Sequence, residues 1–117
     1  MAAPLDPDYR AHLQALSDRF AASIPARLAA IEQALAAAGS APSREQLEAV
    51  HGALHTVAGS AGSFGFAVLG DQARRLEQAV RGLLAGRPGW AELAPQIQVF
   101  LEWGAADPRA ATYPAHD

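Results

Sequence analysis

Residues 43–66 read SREQLEAVHGALHTVAGSAGSFGF, and their spacing decides the fold. Leu47, Val50, Leu54, Val57 and Ala61 recur in steps of three and four and run on into Phe64, which is the period of one apolar helical face. Ser43 followed by Gln46 has the pattern of a capping box, so the spacing predicts a helix from about residue 44 to 62. With about 100° of turn per residue, His55 points roughly 90° or more away from the centre of the apolar stripe and toward solvent.

The same period extends both ways. Upstream, Tyr9, Leu13, Leu16, Phe20, Ile24, Leu28, Ile31 and Leu35 form one stripe, with Gly39 as its stop. One helix or two nearly collinear helices satisfy that stripe. Pro25 favours a break or kink near Ser23, which would cap a second helix carrying the proline in its first turn. Downstream, Phe66, Leu69, Ala73, Leu76, Val80 and Leu83 predict a helix ending near Gly86. Trp90, Leu93, Ile97 and Phe100 predict a shorter one ending near Gly104, its start blurred by Pro95. No segment alternates with period two between turn residues, so the expected fold class is all-α, an up-down bundle with its stripes turned inward.

At 117 residues the chain has room for one domain. Residues 1–7 are expected to form a flexible lead, residues 8–104 the domain, and residues 105–117, with Pro108 and Pro114, a frayed tail. About a quarter of the residues are alanine, which suits closely packed helices. Lysine is absent; nine arginines against twelve acids give a formal net charge of −3, the wrong sign for a nucleic-acid binder. This arginine-rich, lysine-free composition suggests a GC-rich bacterial genome. Zero cysteines exclude disulfides, a thiol nucleophile and cysteine-based zinc sites. With no secretory signal and no run long enough to span a bilayer, a cytoplasmic protein, complete in itself, is expected.

The chemistry is expected around His55. Its neighbours on that side of the helix are His51, Gly52, Ala58, Gly59 and Gly62, which apart from His51 carry almost no side chain. Glycine costs roughly 1 kcal/mol against alanine in a helix, so three of them around one histidine point to a need for space. An imidazole raised on a rigid helix, with a neutral nucleophilic fraction near pH 7, suits group transfer with a macromolecular partner. His51 and His55 also have the spacing of a metal-binding pair, but no third ligand is evident and no metal is expected. The glycines at 59, 62 and 65 lack the strand and the spacing of a dinucleotide-binding loop. Trp90, Trp103, Phe64 and Phe66 are assigned to core or edge packing, and His12 and His116 to no site.

The segment resembles the histidine-containing phosphotransfer (HPt) domain of phosphorelays. His55, Gly59, Gly65, Phe66, Leu69 and the Leu76-Glu77 pair stand at signature positions, and the resemblance covers roughly residues 9–103. It implies a four-helix bundle with an additional N-terminal or C-terminal helix. It also implies that His55 is phosphorylated by a phospho-aspartyl receiver domain and passes the phosphoryl group to another receiver. The partners would be response-regulator receivers or a hybrid histidine kinase, with Mg²⁺ and most of the catalysis supplied by the receiver and no cofactor bound by this chain. Ala58 stands where the family usually has lysine. The resemblance places Glu77 and Arg81 near the histidine, Arg81 being the first choice to replace the missing charge and Glu77 a residue that either orients His55 or faces solvent. An HPt-like adaptor that binds a receiver or kinase without being phosphorylated is the alternative function, and a monomer the expected state.

Overall fold

The computed structural model describes residues 7–114, which form four α-helices and no strand. They are α1 (Pro7–Ala38), α2 (Arg44–Ala58), α3 (Ala67–Leu84) and α4 (Trp90–Ala106), with a single 3-10 turn at Ala61–Phe64 between α2 and α3. α1 packs on α2 and α4, and α3 packs on the same two helices, while the backbones of the diagonal pairs α1/α3 and α2/α4 do not approach closely. This is the square of an up-down bundle. Its interior is closed by Ile31 of α1, Leu54 of α2, Leu69 and Leu76 of α3, and Ile97 and Phe100 of α4, all fully buried. The capping box at the start of α2 is formed: the Gln46 amide donates to Ser43 Oγ, and the Ser43 amide donates to Gln46 Oε1. No helix is long and apolar enough to cross a membrane among the described residues.

The expected break near Ser23 does not occur, for α1 is one helix of 32 residues with Pro25 inside it. Ser23 caps nothing; its hydroxyl donates to the Phe20 carbonyl and accepts from Arg27 Nε. A proline in a helix interior costs about 3 kcal/mol. Phe20, Ile24, Leu28 and Ile31 are all buried across that turn, each contributing roughly 1.5–3 kcal/mol, so burial outweighs the lost hydrogen bond. With its first stripe in a single helix, the bundle has no additional helix among the described residues. α1 also outruns the bundle: residues 7–15 are exposed on every side, including Tyr9 and Leu13 of the expected apolar face.

Other boundaries shift by a few residues. α2 ends at Ala58 instead of 62, because Gly65 at φ +91° reverses the chain and the Phe66 amide closes back on the Ala61 carbonyl. Pro7, placed in the lead, opens α1, where a missing N–H removes no helical bond. Residues 1–6 and 115–117, His116 among them, lie outside the described residues. Residues 107–114, expected as a frayed tail, turn back onto α4: Trp103 Nε1 donates to the Thr112 carbonyl at 2.9 Å, and the Tyr113 ring meets the Trp103 ring edge-on. Arg109 lies over the ring of Phe66.

Candidate functional site

α2 and α3 are the most extensively packed pair of helices, and three side-chain contacts run down one flank of their seam. Arg81 reaches His51 Nε2 at 3.4 Å, Glu77 meets His55 Nδ1, and Arg74 donates to the carbonyl of Ala58 at 3.2 Å. The α3 residues step by four and three while the α2 residues step by four and three in the opposite sense, as antiparallel helices require. His55 is therefore the middle contact, with an arginine of α3 one turn away on each side.

The imidazole of His55 is 64% exposed, whereas the Glu77 side chain is 8% exposed. Glu77 is the single buried charged residue among the described residues. In its ionised form a carboxylate only accepts, so the contact puts a proton on Nδ1 of His55 and fixes the ring plane. In the neutral imidazole that leaves Nε2 with the free lone pair, on the solvent side of the ring. Of the two possibilities left open by the sequence for Glu77, orientation of His55 or solvation, the solvent-facing one does not occur: its carboxylate is buried against Nδ1 of His55. Local sequence explains the burial: Glu77 follows Leu76 and precedes Val80, both fully buried, so its stem enters the seam while its head meets the exposed ring.

The small residues around His55 divide into two kinds. Gly52, Gly59 and Gly62 are exposed, and a Cβ built on Gly52 or Gly62 would meet no atom within 4 Å. These two leave open surface, whereas a Cβ on Gly59 would come within 3.3 Å of the His55 carbonyl oxygen. Ala58, by contrast, is only 4% exposed and belongs to the core, so it lines no docking surface. The helix ends at this residue, and its side chain turns inward where the sequence placed it beside His55.

Arg81 lies by His51, the ring of which stacks on His55 with centroids 6.1 Å apart; no contact of Arg81 with His55 itself is formed. Among the described residues no group of three or more His, Asp or Glu side chains is placed to hold a metal. Phe66 and Trp90 are buried, Phe64 stacks on Phe20, and Trp103 packs at the edge, so the four aromatic residues do serve packing. His12 is exposed on the protruding part of α1, apart from this cluster.

Two features escaped the sequence. Gly70 of α3 lies against the turn after α2, where a Cβ would come within 3.1 Å of the Gly62 amide nitrogen. Arg27 and Arg74 bind the last carbonyls of α2, Arg27 Nη1 donating to that of Thr56 at 2.9 Å. A helix expected to continue to residue 62 would have had those carbonyls occupied by its own amides, so only the true end at Ala58 exposes them.

A family model described as the Hpt domain matches residues 15–103. Comparison with curated proteins and with solved structures gave no match. The matched span runs from the start of the packed part of α1 to the last turn of α4 and takes in both members of the His55–Glu77 pair. With its four-helix bundle, its exposed histidine and a family match over most of its length, the chain belongs to the Hpt domain family, whose role is of the phosphotransfer type in two-component signalling.

Proposed function

We propose that His55 is the phosphoacceptor of a phosphorelay carrier. The observation that supports this most is the pairing of an exposed imidazole with a buried carboxylate at Nδ1. Nε2 attacks the phosphorus of a receiver's aspartyl phosphate from its lone pair. The N–P bond forms as the P–O bond breaks, and the bonding electrons leave on the aspartate carboxylate. The positive charge that develops on the ring is met by Glu77 through the Nδ1 proton, as a buried carboxylate does for a catalytic histidine elsewhere. Reversal onto a second receiver discharges the carrier.

The remaining requirements of phosphoryl transfer are alignment and charge neutralisation. The receiver brings Mg²⁺ and its own acidic and basic groups; this chain brings a rigid nucleophile with room around it. The open surface at Gly52 and Gly62 lets a receiver approach within bonding distance of Nε2. The domain acts as a cytoplasmic monomer, most of its large apolar side chains being consumed in one bundle.

Incubation with a panel of phosphorylated receiver domains in Mg²⁺ tests the proposal. Wild type and His51→Gln are expected to take up acid-labile, base-stable label, and His55→Gln none. Label on His55→Gln equal to wild type excludes His55 as the acceptor. Ala58, at the position where the family usually has lysine, favours a second reading, a non-phosphorylated adaptor. Binding to a receiver that is unaffected by His55→Gln, with no label on wild type, is the outcome that distinguishes it.

A further inference from the structure

His55 lies in the last turn of α2, the electrically negative end of a helix. A phosphoryl group arriving there brings a further negative charge of about 1.5–2 at pH 7, by analogy with other phosphorylated side chains. Helix polarity alone opposes that step. The end of α2 is nevertheless not left negative. Of its last four carbonyls, those of His55 and Val57 take the backbone amides of Gly59 and Ser60. Those of Thr56 and Ala58 take the guanidinium groups of Arg27 and Arg74. Two cations from two neighbouring helices thus converge on the turn that carries the histidine.

The two arginines differ in how firmly they are held. Arg27 is engaged three times, by the Thr56 carbonyl, by Ser23 Oγ and by the face of the Phe20 ring. Arg74 holds one carbonyl at 3.2 Å and lies 3.7 Å from the exposed carboxylate of Asp71, and its own side chain is 55% exposed. A neutral carbonyl and a solvated carboxylate are weak competitors for a guanidinium beside a phosphoryl dianion, whose oxygens form stronger, charge-assisted bonds. Arg74 also stands on the same flank of α3 as Glu77, one turn away. Arg81 stands on that flank too, one turn beyond Glu77 in the opposite direction, turned to His51 and away from the helix end.

We infer that Arg74 is the cation that receives the phosphoryl group at His55, exchanging the carbonyl of Ala58 for the phosphoryl oxygens as transfer proceeds. This rests on the proposed role of His55 as phosphoacceptor. It assigns a reason to the alanine at 58: a methyl group there turns into the core and leaves the space over the helix end to a guanidinium from α3. The positive charge at the helix end is supplied across the seam, from α3.

The test removes and restores the charge at position 74. Wild type, His55→Gln, Arg74→Ala and Arg74→Lys are phosphorylated by phosphoramidate, which needs no docking, and by a receiver. Arg74→Ala is expected to slow labelling about tenfold with both donors, the size of one charge-assisted hydrogen bond. Arg74→Lys should retain most of the rate. Thermal unfolding of each variant separates a folding defect from a charge effect. If Arg74→Ala labels like wild type, or if Arg74→Lys is as slow as Arg74→Ala, Arg74 is not the receiving cation although His55 remains the acceptor. If wild type takes no label, or His55→Gln takes it equally, the role of His55 fails first and that of Arg74 with it.

Discussion

Glu77 is buried and His55 is exposed, yet the carboxylate of the one meets Nδ1 of the other. A surface side chain thereby satisfies the one charged group that the described core contains. The dependence runs in both directions, so each residue has a consequence that its own exposure does not suggest.

Removing the histidine should cost stability. Substitution of an exposed residue is ordinarily neutral to within about 0.5 kcal/mol. His55→Ala leaves a buried carboxylate unpaired, which costs roughly 1–3 kcal/mol, whereas His55→Gln retains a donor for it. Urea unfolding should place His55→Ala clearly below wild type and His55→Gln between them; equal midpoints for wild type and His55→Ala would show that Glu77 does not depend on the ring.

Removing the carboxylate should cost transfer. Glu77→Ala frees the ring to rotate and removes the preference for a proton on Nδ1, and loss of an orienting partner of this kind commonly costs on the order of 10–100-fold. Glu77→Gln keeps an acceptor without the charge and should fall between. Single-turnover labelling from a phosphorylated receiver measures both, and a rate for Glu77→Ala equal to wild type would remove Glu77 as a positioning residue.

Two glycines should respond in opposite ways. Gly62 faces open space, so Gly62→Gln should fold as well as wild type but obstruct a receiver, lowering transfer while the melting temperature holds. Gly70→Ala would put a methyl 3.1 Å from the Gly62 amide nitrogen and 3.3 Å from the Ala61 side chain. Overpacking of that kind costs about 1–3 kcal/mol, so its effect should appear in unfolding. The pair of melting curves and the pair of transfer rates together separate docking surface from packing.

These cases also show what the sequence could carry. Helix identity was legible because the stripes at Leu47–Ala61 and Phe66–Leu83 follow from local period alone, and the exposure of His55 followed from the same wheel. The continuity of α1 through Pro25 was not, because it is decided by burial of Ile24 and Leu28 against other helices. The end of α2 at Ala58 was missed for a similar reason: the turn at 61–64 is pressed against Gly70, which is adjacent only in space. That four-residue error hid Arg74, whose partner carbonyl at Ala58 is free only at a helix end, whereas Arg81 was placed near His55 by family resemblance. Glu77 was placed near His55 by family resemblance, and its burial became visible only with α3 docked.

Burial of Tyr113 links the end of the described chain to pH. Its hydroxyl is buried beside Arg75 without a hydrogen bond, and its ring packs on Trp103. Burial raises its pKa above the ordinary tyrosine value, with the nearby positive charge of Arg75 opposing the rise. The folded state therefore holds the phenolic proton more tightly than the unfolded state. Below the unfolded pKa of about 10 both states are protonated and the contribution is complete; as pH rises through that value and on through the higher folded pKa, it is lost. Tyr113→Phe carries no such proton and retains the ring contact. Unfolding midpoints compared at pH 8 and at about pH 11 should fall more for wild type than for Tyr113→Phe. Parallel falls in the two proteins would mean that the phenol is as free to ionise in the folded chain as in the unfolded one, and that residues 107–114 do not hold it against α4.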